Sequence, residues 1–242
     1  MEDFKAQEKE EIKKIIKKNL DEIKKGIERA CTKTGKNPED IILVAVTKTV
    51  PSYVAKILMD LGQNDLGESR VQVLEKKASV LGSNPPTWHF IGPLQRNKAR
   101  KCVKIAEYIH SVESERLLIY LDRVAGEEGK KPKIFLEVNT SGEAQKHGIS
   151  PEGLPYLLDK AREAENLELI GLMTIAPFTD NEDEIRKSFV KLRKLMEEYC
   201  PDLLHLSMGM TNDYEIAIEE GATIIRIGTG IFKGLKISDE EE

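Results

Sequence analysis

The 242-residue sequence lacks the features that mark membrane, disulfide-stabilised and metal-binding proteins. No apolar run approaches the ~20 residues needed to span a bilayer, so we expect no membrane association. The three cysteines, Cys31, Cys102 and Cys200, are far apart and show no paired spacing. This argues against a disulfide framework and against a zinc site. The four histidines show no metal-ligand spacing either, so no metal is expected.

The charge balance excludes a further class of protein. Lys and Arg number 37 and Asp and Glu 42, for a net charge of −5. Nucleic-acid binding needs clustered positive charge, so no nucleic-acid partner is expected. The basic stretch RNKARK at 96–101 is interpreted as a solvated helix face, with an anionic partner as the alternative. The first residues, MEDFKAQEKEE, are unlike a secretory signal peptide, so a cytoplasmic location is expected.

Helical and strand patterns alternate along the chain. Apolar residues at steps of three and four from Phe4 to Ala30 predict a long helix over 3–34, ended by Gly35 and Pro38. The run IILVAVTK is typical of a strand buried on both faces. Strands are predicted near 41–48, 63–67, 87–92, 107–112, 133–139, 167–174, 203–207 and 223–228. Helices are predicted near 51–61, 69–81, 96–105, 113–127, 151–165, 181–199 and 212–220.

Strands that alternate with helices imply a parallel sheet. Eight such strands within about 200 residues fit a closed (β/α)8 TIM barrel. The alternative is an open doubly wound sheet, but its G-x-G-x-x-G turn is absent, since VTKTVP follows the first strand. The sequence therefore predicts an α/β protein of one domain, with an extra N-terminal helix (1–36), a barrel (41–234) and a disordered acidic tail (235–242).

In such a barrel the functional groups lie at the carboxyl ends of the strands. Lys48 closes the first strand, where burial would favour the uncharged amine that a Schiff base needs. The alternative is a lysine whose stem lies on the barrel rim with its charge in water. Glu68, at the end of the second strand, is a weaker candidate. His89, His110 and His205 are interpreted as satisfied core histidines.

The loops after strands 7 and 8, LSMGMTND and RIGTGIF, are rich in glycine and hydroxyl groups. Barrels often bind phosphate at these two loops, so a phosphate site is expected, with two simple glycine-rich turns as the alternative. Arg226 shares a strand face with Gly228 and must meet an acceptor inside the barrel. The acceptor is a ligand's ring nitrogen or carboxylate, or else Glu137 in a structural ion pair. The spacing does not separate these.

Several long motifs together resemble one known family. VAVTKTV, WHFIGPLQRNK, GLMTIAP, the HGI after KIFLEVNTSGEAQK, and LSMGMTNDYEIAIEEGATIIRIGTGIF occur in the order found in the pyridoxal phosphate homeostasis proteins, the YggS/PROSC family. The resemblance runs from about residue 5 to residue 233. It implies a barrel related to the N-terminal domain of alanine racemase, with pyridoxal 5′-phosphate (PLP) as the cofactor.

The resemblance also implies roles for single residues. It makes Lys48 the lysine that forms an imine with PLP, and Arg226 the arginine beside the pyridine nitrogen. Ser207, Gly228 and Thr229 match positions that hold the phosphate, and Met173 and Met208 match positions near the cofactor. Lys146 matches a second PLP-reactive lysine of some members. No catalytic residue is implied. The chain departs from the family pattern at Ser69, where an asparagine is usual, and at Lys233, which is inserted before Gly234.

An arginine beside the ring nitrogen bears on function, because it can only donate a hydrogen bond. It would leave the pyridine unprotonated and weaken its action as an electron sink. We therefore expect an intracellular PLP-homeostasis protein, a monomer, with no or negligible turnover. Two alternatives remain open. One is a PLP-dependent racemase or other amino-acid enzyme that uses Lys48 as base, and the other is an interaction protein that hands PLP to apoenzymes.

Overall fold

The computed structural model describes residues 2–82, 85–143 and 147–235. Eight parallel strands pair in chain order, and the last strand pairs with the first, so the sheet closes into a barrel. This confirms the predicted (β/α)8 barrel and excludes the open doubly wound sheet. The predicted acidic tail, apart from Leu235, lies outside the described residues.

All eight strands lie where the apolar runs predict them, but each is shorter than its run. The reason is that an apolar run continues into buried loop residues that no longer belong to the hydrogen-bonded ladder. The strands are β1 Ile42–Val46, β2 Asp65–Glu68, β3 Thr87–Phe90, β4 Tyr108–Val112, β5 Lys133–Glu137, β6 Glu168–Met173, β7 His205–Ser207 and β8 Ile224–Ile227.

The helices also follow the predicted order, with one instructive difference. The described helices are α1 Glu2–Thr34, α2 Ser52–Asp60, α3 Val71–Leu81, α4 Arg96–Ile105, α5 Glu115–Glu128, α6 Leu154–Arg162, α7 Glu182–Tyr199 and α8 Tyr214–Glu219. α6 begins three residues later than predicted because Pro151–Gly153 forms a 3-10 turn. The Ser150 hydroxyl accepts a hydrogen bond from the amide of Gly153 and so fixes that turn.

The extra helix α1 is part of the fold and not an appendage. Its apolar stripe is buried, and its charged side pairs with α8 through Arg29 to Glu215 and Lys33 to Glu219, each at 2.6 Å. The side-chain amide of Asn19 donates to the carbonyls of Ile231 at 2.8 Å and Lys233 at 2.9 Å. α1 therefore holds the segment that follows β8, where the sequence predicts a phosphate site.

The core has two layers. The larger layer lies between strands and helices, and a small one inside the barrel comprises Val44, Phe135, Met173 and Ile224. TIM barrels usually fill their interior with branched apolar residues. Here polar groups take up much of that space. Within the described residues, no helix has the length and apolarity that crossing a membrane requires.

Candidate functional site

The carboxyl ends of the strands bring several predicted residues to one end of the barrel. Lys48 lies in the turn that follows β1, Ser207 ends β7, and Gly228 follows β8. Of the two interpretations of Lys48, the structure agrees with a position on the barrel rim, because the side chain is exposed. β1 ends at Val46 and Thr47 is the last buried residue before the turn. The lysine amine thus meets solvent at the rim of the barrel.

The loops after β7 and β8 are joined to each other. Thr211 Oγ1 accepts a hydrogen bond from the hydroxyl of Thr229 at 3.0 Å and from the amide of Gly230 at 3.1 Å. In the described part of the chain, the backbone amides of Gly228 and Thr229 have no hydrogen-bond partner. Unpaired amides on a fixed loop suit an anion such as phosphate.

The two methionines differ in what their side chains contact. Met173 packs inside the barrel with Val44 and Phe135, on the side where a ligand would enter. Met208 is fully buried in the outer layer between strands and helices, and its amide donates to the carbonyl of Ile224. Only the Met173 side chain therefore faces the interior.

Arg226 lies almost fully buried inside the barrel, at 5% exposure. Its guanidinium donates to Ser207 Oγ at 2.6 Å and to the carbonyl of Thr174 at 2.9 Å. Burial lowers the pKa of Arg226 to about 10, against the opposing attraction of Glu137 and Asp213. The arginine is thus a cation at neutral pH, and its hydrogen bonds go to Ser207 and Thr174, while Glu137 acts on it through charge.

Ser207 is more buried, and makes more hydrogen bonds within the protein, than we expect of a residue that binds phosphate. Its side chain is fully buried, and besides accepting from Arg226 its hydroxyl lies 2.8 Å from His110 Nδ1. β4 and β7 are not neighbours in the barrel, so this contact crosses the interior. The hydroxyl therefore belongs to a hydrogen-bonded group inside the barrel.

His110 continues that group toward the other end of the barrel. Its Nε2 lies 3.0 Å from His89 Nδ1, and His89 Nε2 lies 3.1 Å from a carboxylate oxygen of Asp65. Both imidazoles are fully buried, as expected for satisfied core histidines. The sequence analysis did not predict that they contact each other. A signal was present, because both lie at inward positions of neighbouring strands.

Burial governs the protonation of both histidines. It lowers the pKa of His110 well below the usual value, and the nearby His89 and Arg226 add to the effect. Burial also lowers the pKa of His89, although the carboxylate of Asp65 opposes this. Both rings are thus neutral at neutral pH, and each has one donor and one acceptor nitrogen.

Glu137, at the end of β5, is a buried carboxyl group at 4% exposure. Burial and then the charge of Glu113 raise its pKa to about 7, while Arg226 and His147 oppose the shift. His147 Nδ1 lies 3.2 Å from Glu113, so these groups form one cluster beside the strand end. Glu137 can therefore exchange a proton near neutral pH.

A second buried pair supports the backbone next to Lys48. Lys77, on α3, donates to Glu68 Oε1 and to the carbonyl of Thr47, each at 2.5 Å. The Thr47 hydroxyl donates to the same carboxylate at 2.6 Å. Glu68 Oε2 has no partner among the described residues. Glu68 is only a weak candidate from the sequence, and Lys77 is not predicted at all, because its buried contacts arise from the packing of α3 on the barrel.

The remaining candidates are less informative. Lys146 lies outside the described residues. Lys233 is exposed, and its carbonyl is held by α1. In the RNKARK stretch, Arg100 pairs with Glu127 and Glu128 of α5, as expected for a solvated helix face.

Comparison with known proteins identifies relatives of this chain and of its fold. The family model for the alanine racemase N-terminal domain matches residues 18–236. A pyridoxal phosphate homeostasis protein of Aquifex aeolicus is 39% identical over 217 residues, which cover 88% of this chain and 95% of that protein. The solved structure of PipY of Synechococcus elongatus with PLP bound is 37% identical, with a TM-score of 0.75, and the match covers 86% of this chain and 99% of PipY.

A more distant match concerns the fold alone. An alanine racemase of Clostridium difficile is 16% identical, with a TM-score of 0.73. The match covers 94% of this chain but only 58% of the racemase. The shared part is the barrel.

The first prediction concerns the buried ion pair. Lys77→Met leaves Glu68 buried without its cation, which should lower the free energy of unfolding by about 3–5 kcal/mol. Adding Glu68→Leu removes the buried carboxylate that has lost its cation. The double variant should therefore be much more stable than the sum of the two single changes predicts. Urea denaturation of all four proteins measures this. A loss below about 1 kcal/mol for Lys77→Met, or simple additivity, contradicts the account.

The second prediction concerns Glu137 and pH. Its folded pKa of about 7 exceeds the ordinary value of 4.5, so the folded protein binds the extra proton between these values. This contribution to stability therefore falls as pH rises through that window. Relative to the wild type, Glu137→Gln should gain up to about 3 kcal/mol between about pH 5 and pH 8. Denaturant unfolding of the protein without ligand, with the exposed Glu165→Gln as control, tests this; equal pH dependence in both variants would count against it.

Proposed function

The chain belongs to the family of pyridoxal phosphate homeostasis proteins, built on the alanine racemase N-terminal domain, and from this premise we propose that it binds PLP as an imine on Lys48. The PLP lies at the carboxyl end of the barrel, and the protein holds it with no or negligible turnover. The single observation that carries this proposal is that the required groups lie at the same end of the barrel, where the strands end. Lys48, the unpaired amides after β8 and the buried Arg226 all converge on it.

Each group suits one part of PLP. The exposed amine of Lys48 can reach the aldehyde, and the free amides of Gly228 and Thr229 can bind the phosphate. Arg226 is a permanent donor, which suits an unprotonated ring nitrogen. When bound, PLP supplies an aldehyde that forms imines with amines. The residues present therefore fit the cofactor.

The donor character of Arg226 favours holding over catalysis. Enzymes that use PLP as an electron sink usually keep its ring nitrogen protonated with an acidic partner. Arg226 cannot accept a hydrogen bond from a protonated ring nitrogen, because a guanidinium has no acceptor atom. Its pKa of about 10 keeps it charged at neutral pH. This supports a role in storing and shielding a reactive aldehyde, and delivery to PLP-dependent apoenzymes stays a separate alternative. We place this monomeric carrier in the cytoplasm.

One observation favours the alternative of a PLP-dependent amino-acid enzyme. Glu137 is a buried carboxyl group with a pKa near 7, which is the protonation behaviour of a general base. If it acts in that way, the PLP-loaded protein should exchange the α-hydrogen of added alanine in D2O faster than free PLP does. Glu137→Gln should then abolish the exchange. A carrier shows no such exchange.

The third prediction tests the lysine. Wild-type protein loaded with PLP should show a near-visible absorption band, and borohydride reduction followed by peptide mapping should place the adduct on Lys48. Lys48→Ala should lose both the band and the adduct, because the amine is absent. Lys233→Ala, which removes another exposed lysine near the β8 loop, is the matched control and should keep both. An adduct that persists in Lys48→Ala, or that maps to Lys146 or Lys233, would overturn the assignment.

A further inference from the structure

The hydrogen-bonded group inside the barrel links its two ends. Asp65 begins β2 at the amino-terminal end, and its side chain is 37% exposed there. His89, His110 and Ser207 follow across the interior, and Arg226 completes the group next to the proposed PLP site. We name Asp65, His89 and His110 the relay. These three residues contact neither the loops after β7 and β8 nor Lys48 in any described hydrogen bond.

The chemistry of the two end groups fixes every hydrogen between them. Arg226 can only donate, so Ser207 Oγ accepts from it and has one hydrogen left to give. That hydrogen can go to His110 Nδ1, which must then be the acceptor nitrogen of a neutral ring.

The same reasoning continues to the other end. With Nδ1 as acceptor, His110 has its hydrogen on Nε2 and donates it to His89 Nδ1. His89 then has its hydrogen on Nε2, where the carboxylate of Asp65 can only accept. All four hydrogen bonds thus point the same way, from Arg226 to Asp65, and no donor faces another donor.

We propose that Asp65, His89 and His110 are positioning residues for the PLP site, acting through the hydrogen of Ser207 to hold Arg226 in place. This inference rests on the proposed function. Asp65 selects the tautomer of His89 and, through it, that of His110, so that the Ser207 hydrogen points to His110 Nδ1 and the Ser207 lone pairs face Arg226. Without Asp65, His89 can take the other tautomer and present a hydrogen to His110, and the order of the whole group is lost.

Other charged groups also face the relay and define the control. Glu107 and Lys133 act on His89 through their charges, and Tyr108 stacks on the His89 ring with centroids 4.3 Å apart. Glu107 pairs with Lys133 at 3.6 Å. In the described structure it makes no hydrogen bond to the relay. Glu107→Ala therefore removes a carboxylate from the same end of the barrel without breaking the ordered hydrogen bonds.

The experiment is a PLP titration followed by absorbance, which gives a Kd and the position of the near-visible band. Asp65→Ala should weaken PLP binding by roughly 3-fold to 10-fold, the equivalent of one ordinary hydrogen bond, and displace the band. Glu107→Ala should leave both unchanged. Because Asp65 is partly exposed, its removal should leave the fold intact, as circular dichroism will show.

Two variants at His110 add a graded test. His110→Phe removes both links and should weaken PLP binding by roughly tenfold or more. His110→Asn places an amide oxygen where Nδ1 was, so Ser207 keeps an acceptor and the Kd should return to within about threefold of the wild type. If His110→Phe does not fold, the Asp65 and Glu107 pair decides alone.

The outcomes separate this inference from the proposed function. A wild type without a band refutes the proposed PLP site. A normal wild type in which Asp65→Ala matches Glu107→Ala, in both Kd and band position, refutes the relay alone. In the protein without PLP, the ring resonances of His110 should shift in Asp65→Ala and not in Glu107→Ala. Equal spectra in the two variants would also overturn the relay.

Discussion

A buried positive charge organises the interior of this barrel. Arg226 has left water, and an isolated buried ion is costly unless acceptors and opposite charges surround it. Ser207 and Thr174 provide the acceptors, and Glu137 and Asp213 provide the opposite charges. A serine that accepts from Arg226 retains its own hydrogen, and the series of acceptors that ends at the carboxylate of Asp65 directs that hydrogen to His110. The polar filling of the barrel is thus one connected arrangement.

This arrangement suits a site that holds a ligand. The reactive amine of Lys48 is exposed at the rim of the barrel. Arg226 and Ser207, inside the barrel, are fixed by burial and by hydrogen bonds. The backbone before Lys48 is anchored as well, since Lys77 binds the carbonyl of Thr47. Arg226 always donates hydrogen bonds and is held in place by its buried contacts, so it favours a ligand whose ring nitrogen is unprotonated. That is the physical basis for proposing a carrier of PLP and not an electron-sink enzyme.

The sequence predicts the fold well and the site in part. Alternation of apolar runs places all eight strands, while helix starts differ from the prediction by up to three residues, most at α6, where Pro151–Gly153 forms a turn. Strand ends and family resemblance single out Lys48 and Arg226. Lys48 lies at the rim because β1 ends two residues earlier than its apolar run suggests. The contact between His110 and Ser207 depends on closure and register, which spacing along the chain does not encode.

The most direct test of this account is the hydrogen position on the two buried rings. Nitrogen NMR of the protein labelled with 15N-histidine, assigned with single-histidine variants, reads it for each ring nitrogen. The account predicts that His89 and His110 are both neutral at neutral pH, with the hydrogen on Nε2 and a bare, hydrogen-bonded Nδ1. A hydrogen on Nδ1 of either ring, or a charged imidazolium, would contradict the proposed order of hydrogen bonds from Arg226 to Asp65.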